Sequence, residues 1–440
     1  MQLRIDETSW ATLTAHLLKR ADVETAAVLL AQPVASDGQP VLAVRTWAPV
    51  PEDGYLIRRI DQIRIDPVAI NRLVREARDR GWTVLTIHSH PMALDAWFSH
   101  ADDIGDARLL PSFARLIPGA PHGSLVLAQS GAVVARVLVD GVLADAQVRM
   151  VGRTIKTLTA VGAHDGVDDR FARQVLALGA DGQRALRTLR VGVVGLGGVG
   201  SIVCAQLAHL GVGKLILVDG DRIEASNLSR VFGAQVADIV KAHKTEVARR
   251  YVEQTGMPVI IDAVAGDLVR RGDTRRLVGC DVVFSCVDRH TPRALLNRLA
   301  YEALTPVIDM GSGFRVDLAG HVVGAAGRVV VVGPGRPCLA CWGHIDPDAL
   351  RVEALPAHER AALAAEGYVR GADVAQPSVV PFNTMIAGAA VIELLRLVTA
   401  FAGADEPPQR LAFQFAEGTV RRNGLAEEAE CQTCGRRRAA

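Results

Sequence analysis

Residues 190–219 read RVGVVGLGGVGSIVCAQLAHLGVGKLILVD, and this run decides the fold of most of the chain. It opens on an apolar strand, Arg190 to Val194, and turns through Gly195-Leu-Gly197-Gly198-Val-Gly200. A helix follows from Ser201 to Leu210, then a second strand from Lys214 to Val218, closed by Asp219. Glycines in such a turn let the backbone approach a phosphate, the helix N-terminus favours its charge, and the acid binds a ribose hydroxyl. The alternation continues with a helix around Lys244 to Glu253 and strands at Pro258 to Val264 and Asp281 to Cys286. The expectation is an α/β domain on a doubly wound parallel sheet, with its ligand at the carboxyl edge.

The glycine turn alone fits a dehydrogenase equally well, so the flanking residues must discriminate. After Asp219-Gly-Asp221 come Asn227, Arg230 and Lys244, then Ser285, Asp288, Arg293 and Asn297; upstream stand Arg170, Arg173, Gln174 and Gln183. Hydride transfer has no use for cations aimed at a polyphosphate, nor for an Asp at a strand end able to hold magnesium. Adenylyl transfer needs both, because charge grows on the α-phosphate and on the leaving pyrophosphate.

With these residues in place, about residues 167–435 resemble the ThiF/MoeB family, the adenylating domain shared with ubiquitin-activating enzymes. The resemblance implies a Rossmann-like adenylation domain using ATP and Mg2+, with Gly195, Gly197, Gly198, Gly200, Asp219 and Asp221 around the nucleotide. Asp219 would bind the ribose, Asn227, Arg230 and Lys244 the phosphates, and Asp288 the magnesium. Arg173 would be an arginine finger given by the other subunit of a homodimer. The stretch from Asp238 to Lys244 is one residue longer than the usual spacing, which sets Lys241 beside Lys244 as the phosphate lysine; Lys-Thr-Glu-Val favours Lys244.

Ahead of this domain, apolar runs of strand length lie at Glu24 to Leu30, Val41 to Trp47, Thr83 to His88, Ser124 to Ala128 and Val133 to Val139, with helical spacing from Pro67 to Arg80. They predict a smaller α+β module over 1–145, a linker over 146–166 and the adenylation domain over 167–440. His88-Ser-His90-Pro91 closes one of the strands. Period-two geometry turns both imidazoles to one face, and Asp102 completes three ligands, leaving a fourth tetrahedral position for water as in a catalytic zinc site. Glu24, on an early strand, is the candidate base. These residues resemble the JAMM (MPN+/Mov34) metalloprotease family: an upstream Glu, His-x-His-Pro, seven residues (Met92 to Phe98), Ser99, two residues, Asp102. The resemblance implies His88, His90 and Asp102 as zinc ligands, Glu24 as general acid/base and Ser99 as a donor to the oxyanion, in cleavage after the C-terminal glycine of a ubiquitin-like protein.

Cys338-x-x-Cys341 and Cys431-x-x-Cys434 supply four thiolates, enough to close a structural zinc site. Cys204, Cys280 and Cys286 read as small core hydrophobes. No cysteine lies between Trp342 and Glu430, where a thioester-forming relative would carry one; Asp373 to Ser378 offers only a serine. Lys+Arg 49 against Asp+Glu 48 leaves a net charge of +1, which argues against a nucleic-acid partner. The apolar stretch Met385 to Phe401 carries Glu393 and Arg396 and reads as a buried helix, so no membrane partner is expected. The N-terminus has no secretory pattern, which makes the cytoplasm the expected location.

The two resemblances together imply one bifunctional enzyme that processes and activates a ubiquitin-like or sulfur-carrier protein, with a conjugating enzyme or a sulfurtransferase downstream. The alternatives are a sulfur-carrier activator in a biosynthetic pathway, or a non-catalytic scaffold presenting the carrier.

Overall fold

The computed structural model describes residues 1–37, 40–159, 168–269, 271–317, 319, 321–356, 358–360, 362, 377–399, 401, 409–426 and 428–435. The chain divides into two compact units near residue 165, each with its own sheet.

In the first unit the strands are β1 (Gln2–Asp6), β2 (Ala26–Val34), β3 (Val41–Pro49), β4 (Tyr55–Arg58), β5 (Ile63–Ile65), β6 (Thr83–His90), β7 (His122–Ala128), β8 (Val133–Val139), β9 (Val142–Asp145), β10 (Gln147–Val151) and β11 (Ile155–Thr157). The helices are α1 (Glu7–Leu17), α2 (Pro67–Arg80) and α3 (His100–Leu116). Nine of the strands form one mixed sheet, in the order β11-β10-β1-β3-β2-β6-β7-β8-β9. Strand β2 shows how the sequence builds it. Ala27, Leu29 and Ala31 join the core that buries Trp10, Leu13 and Leu17 of α1, while Ala26, Val28 and Leu30 join the core holding Ile70 and Val74 of α2 and Leu110 and Phe113 of α3. Period-two alternation therefore feeds two cores, and each fully buried aliphatic contributes about 1.5–3 kcal/mol.

Two expectations need correction. The predicted linker is in part sheet: β10 pairs in parallel with β1 from Gln2↔Gln147 to Asp6↔Val151, and β11 turns back on it. These strands are short and broken by Gly152, which weakened their periodicity; residues 160–166 lie outside the described residues. Glu24 also precedes the strand it was assigned to, since β2 begins at Ala26.

In the second unit the elements run α4 (Ala172–Thr188), β12 (Arg190–Val194), α5 (Gly198–His209), β13 (Lys214–Val218), α6 (Lys244–Gln254), β14 (Ile260–Val264), α7 (Arg271–Val278), β15 (Val282–Ser285), α8 (His290–Glu302), β16 (Val307–Val316), β17 (Val322–Val332), α9 (Pro347–Glu353), α10 (Val380–Val398), β18 (Arg410–Gln414) and β19 (Thr419–Asn423). The sheet order is β14-β13-β12-β15-β16-β17-β18-β19. Its first five strands are parallel, as expected for a doubly wound fold, and β17 to β19 add an antiparallel half. Helix α10 is the one described helix long and apolar enough to cross a membrane. It packs on α5, β16 and β17, and its Glu393, 2% exposed, lies 3.2 Å from Arg396.

Candidate active sites

In the first unit, β6 carries Val84 into the core of α2 and α3, so His88 and His90, at even spacing from it, emerge on that same face. Helix α3 starts there. Ser99 is its N-cap and forms a capping box with Asp102, accepting from the Asp102 N–H while the Asp102 carboxylate accepts from the Ser99 N–H. The cap sets the Asp102 carboxylate 3.1 Å from His88 Nε2 and 3.7 Å from His90 Nε2. The two Nε2 atoms are 3.3 Å apart. A tetrahedral ion with ligands at about 2.0–2.1 Å has ligand–ligand edges of roughly 3.3–3.4 Å, so the donor set fits zinc. Glu24, 3% exposed, stands 3.7 Å from His90 Nε2. Its backbone is fixed by the Arg58 Nε donating to the Glu24 carbonyl at 2.9 Å and by the Glu24 N–H donating to the Arg59 carbonyl at 2.8 Å. Burial pushes the Glu24 carboxyl up to about 7, against the attraction of His88 and with a smaller push from the Asp102 charge. The Ser99 hydroxyl donates to Asp102 at 2.7 Å.

In the second unit, Gly195 has φ +84°, and a Cβ on Gly200 would sit 1.8 Å from the Gly195 carbonyl oxygen. Those two glycines make the turn and the close helix approach possible. A Cβ on Gly197 would meet nothing within 4 Å, so the backbone there is open to a ligand. Asp219, at the end of β13, accepts from the Leu196 N–H at 2.6 Å and the Asp221 N–H at 2.8 Å, tying the turn to the strand end. Burial raises its carboxyl, Lys244 opposing. Lys244 Nζ donates to Asp221 at 2.7 Å, whereas Lys241 lies exposed before α6. Arg230 Nη1 donates to the Ser226 carbonyl at 2.8 Å, and its Cδ borders Gly198. Asn227 is buried and accepts from the Glu224 N–H. Asp288 is exposed past the end of β15, and Arg173 is exposed near the start of α4.

Several motif residues are engaged within the protein. Arg293 Nε donates to the buried Asp309 at 3.0 Å, and Ser285 donates to the same carboxylate. Asn297 accepts from the Leu339 N–H. Gln174 and Gln183 donate to the carbonyls of His209 and Leu210 that end α5. Conversely, Asn383 was missed: it is 1% exposed, donates to Ser378, accepts from Ser312, and borders Gly198. A lone amide in the first turn of an apolar helix was its only signal.

The four paired cysteines converge. Sγ separations are 3.7 Å for Cys338 and Cys341, 3.6 Å for Cys338 and Cys431, and 3.5 Å for Cys341 and Cys434. A zinc–thiolate tetrahedron with bonds of about 2.3 Å has edges near 3.75 Å, so these residues fit a closed structural zinc. Cys204 and Cys280 are buried, and burial pushes the Cys204 thiol up to about 12.

The ThiF family profile matches residues 171–434, more than half of the chain. This chain belongs to the ThiF family. The profile of prokaryotic homologues of the JAB domain matches residues 7–137, so this ThiF-family chain carries a JAB-like first unit. Among curated relatives, the molybdopterin-synthase adenylyltransferase of Salmonella typhimurium is 34% identical over 40% of this chain and 68% of its own length. The SAMP-activating enzyme E1 of Haloferax volcanii is 30% identical over 39% of this chain and 61% of its own. The sulfur carrier protein ThiS adenylyltransferase of Escherichia coli is 29% identical over 39% and 66%. The chain thus spans about two thirds of these relatives. The solved structure of E. coli MccB is similar with a TM-score of 0.49 at 19% identity, over 62% of this chain and 74% of that one.

Proposed function

We propose that the chain is a bifunctional enzyme for one ubiquitin-like or sulfur-carrier protein: the first unit cleaves a peptide or isopeptide bond after its C-terminal glycine, and the second joins the exposed carboxylate to AMP. The observation that carries this reading is the convergence of Glu24, His88, His90 and Asp102 in a chain of the ThiF family.

His88, His90 and Asp102 would hold a zinc ion, which would polarise the scissile carbonyl and lower the pKa of the attacking water. Glu24, poised near neutrality by burial, takes the proton of the attacking water and returns it to the leaving amine. Ser99 swings its hydroxyl from Asp102 to the oxyanion. In the second unit the carrier's terminal carboxylate oxygen attacks the α-phosphorus of ATP, the bond to pyrophosphate breaks, and the acyl adenylate forms. Asp219 holds the ribose, Arg230, Lys244 and the buried Asn227 neutralise or orient the phosphates, and Asp288 carries the magnesium. Because Cys204 and Cys280 are buried, and burial pushes up the thiol of the half-buried Cys286, which donates to Met310 Sδ, the acyl group passes to a nucleophile on a second protein, a conjugating enzyme or a sulfurtransferase.

The chain acts as a cytoplasmic homodimer in which Arg173 reaches the partner's ATP. Pyrophosphate exchange with a candidate carrier tests the reading. Carrier-dependent exchange lost in Asp219→Ala supports it, and its absence with every carrier tried in an otherwise folded protein favours the scaffold. Mixing Arg173→Ala with Asp288→Ala chains restores part of the exchange if the finger acts across the dimer, and restores none if it acts within its own chain.

A further inference from the structure

Asp309 is fully buried, yet three arginines gather near it. It accepts from Ser285 at 2.8 Å, from Arg293 Nε at 3.0 Å and from Arg328 Nη2 at 3.2 Å. Arg410 is the third. In the β17–β18 register Arg328 faces Ala412 and Val330 faces Arg410, so the two arginines project from one face of adjacent strands, two positions apart. Gly327, on the opposite face, packs on Ile386 of α10. The arginine face is therefore not the face on which Asn383 of α10 meets the glycine turn.

Over these arginines, just beyond the first cysteine pair, Trp342 lies 5.5 Å from the Arg410 guanidinium, and His344 is close enough to feel both cations. Burial first, then Arg328 and Arg410, push the His344 imidazole down to about 4, so it is neutral near pH 7. Among the described residues, Asp309 pairs with Arg293 and Arg328, and no carboxylate pairs with Arg410. Arg328 Nε, Arg410 Nε, Trp342 Nε1 and His344 Nε2 are all buried without a hydrogen-bond partner among the described residues. Each orphaned donor carries an uncompensated desolvation penalty, and an excess of buried positive charge adds repulsion. A group with several lone pairs and a negative charge relieves both at once.

We propose that Arg328, Arg410, Trp342 and His344 form a binding site for a small oxyanion, supplied either as a free inorganic ion or as a carboxylate of a polypeptide. None of these residues belongs to the nucleotide turn or the two cysteine pairs, so the site does not depend on the adenylation reading. The Arg328 and Arg410 guanidiniums give charge-assisted hydrogen bonds, Trp342 gives a neutral donor, and His344 donates in its Nε2–H tautomer.

Calorimetric titration of the full chain with sodium sulfate, and separately with N-acetylglycine as a chain-terminal carboxylate, tests the site. Saturable one-to-one binding is expected for at least one probe, weakened roughly tenfold or more in Arg410→Met and in Arg328→Met, the loss of one charge-assisted bond. It should persist in Lys244→Met. Tighter sulfate binding assigns the site to a free ion, and tighter N-acetylglycine binding to a polypeptide carboxylate. Arg410 is partly exposed, so its variant folds even where Arg328→Met does not. Lack of saturation with both probes, or binding that survives Arg410→Met and vanishes in Lys244→Met, overturns the proposal.

Discussion

Arg136 holds Asp106 with two guanidinium nitrogens, Nε at 2.8 Å and Nη2 at 2.7 Å. Its Nη1 reaches Asp103 at 2.6 Å, and its guanidinium carbon sits 3.8 Å from the centre of the Phe98 ring. Phe98 precedes Ser99, and both acids follow Asp102 on the first turns of α3, so a residue on β8 fixes the rotation of the helix that carries Asp102, the proposed third zinc ligand. Arg136→Leu is expected to weaken zinc binding by about 10–100-fold, read by chelator competition, with carrier-dependent pyrophosphate exchange unchanged. Arg136→Lys should recover part of it. An unchanged zinc affinity in the Leu variant would show that Asp102 is held by its cap alone.

Glu24→Gln keeps the shape of the buried carboxyl and removes its basicity. Cleavage of a C-terminally extended carrier should fall by about 10²–10⁴-fold, while zinc content at the His88 site stays at one equivalent. Zinc lost together with activity would make Glu24 a ligand instead of the base. Its 3.7 Å approach to His90 makes this a pointed comparison.

Cys431 and Cys434 close a tetrahedron begun 93 residues earlier in the chain. Cys431→Ser should release one zinc per chain and lower the melting temperature of the second unit, because the metal's binding energy is folding energy. A strong chelator should do the same to the unmodified chain more slowly. Full zinc retention in Cys431→Ser would exclude the four-thiolate site.

What could be read from the sequence was local. The glycine turn, its helix and Asp219 lie within 30 residues, and His88, His90, Ser99 and Asp102 within 15, so each set could be matched to the motif of the family it resembles. The antiparallel half of the second sheet was not legible, because Val330 pairs with Arg410 across the first cysteine pair and α10. Arg293 and Asn297 looked like ligand contacts because a side chain's target is not written in its own segment; their partners, Asp309 and Leu339, come from later strands and turns. Glu24 stands beside His90, but its backbone is held by Arg58 and Arg59 and not by the strand expected for it.

Glu353, the last residue of α9, caps α8 from outside: His290 N–H donates to one of its oxygens at 2.8 Å and Thr291 N–H to the other at 2.7 Å. Burial pushes the carboxyl up, but the hydrogen bonds from Thr291 and His290 outweigh it and hold it below its ordinary range. A depressed folded value means the stabilisation is fully present above the unfolded pKa, near 4.5, and is lost as pH falls through the folded value. Glu353→Gln should cost about 1 kcal/mol at pH 7. The gap between the two proteins should narrow on acidification below pH ~4.5, measured by urea denaturation. A gap that does not change with pH would mean that the cap acts through shape and not charge.

Lys244 and Lys241 give the sharpest test of the nucleotide site. Lys244 opens α6 and binds Asp221, whose N–H is held by Asp219, so its ammonium already lies beside the acid predicted to bind the ribose. Lys241 is exposed, and its carbonyl accepts from Arg222, which turns the segment without bringing its side chain inward. A lysine that neutralises the departing pyrophosphate acts mainly on the transition state, so Lys244→Ala should lower the carrier-dependent exchange rate by about 10²-fold or more with a smaller change in the KM for ATP. Lys241→Ala should leave both within about twofold, since surface substitutions away from a site cost little. The reverse pattern would move the phosphate lysine three residues upstream and shift the segment before α6 relative to bound ATP.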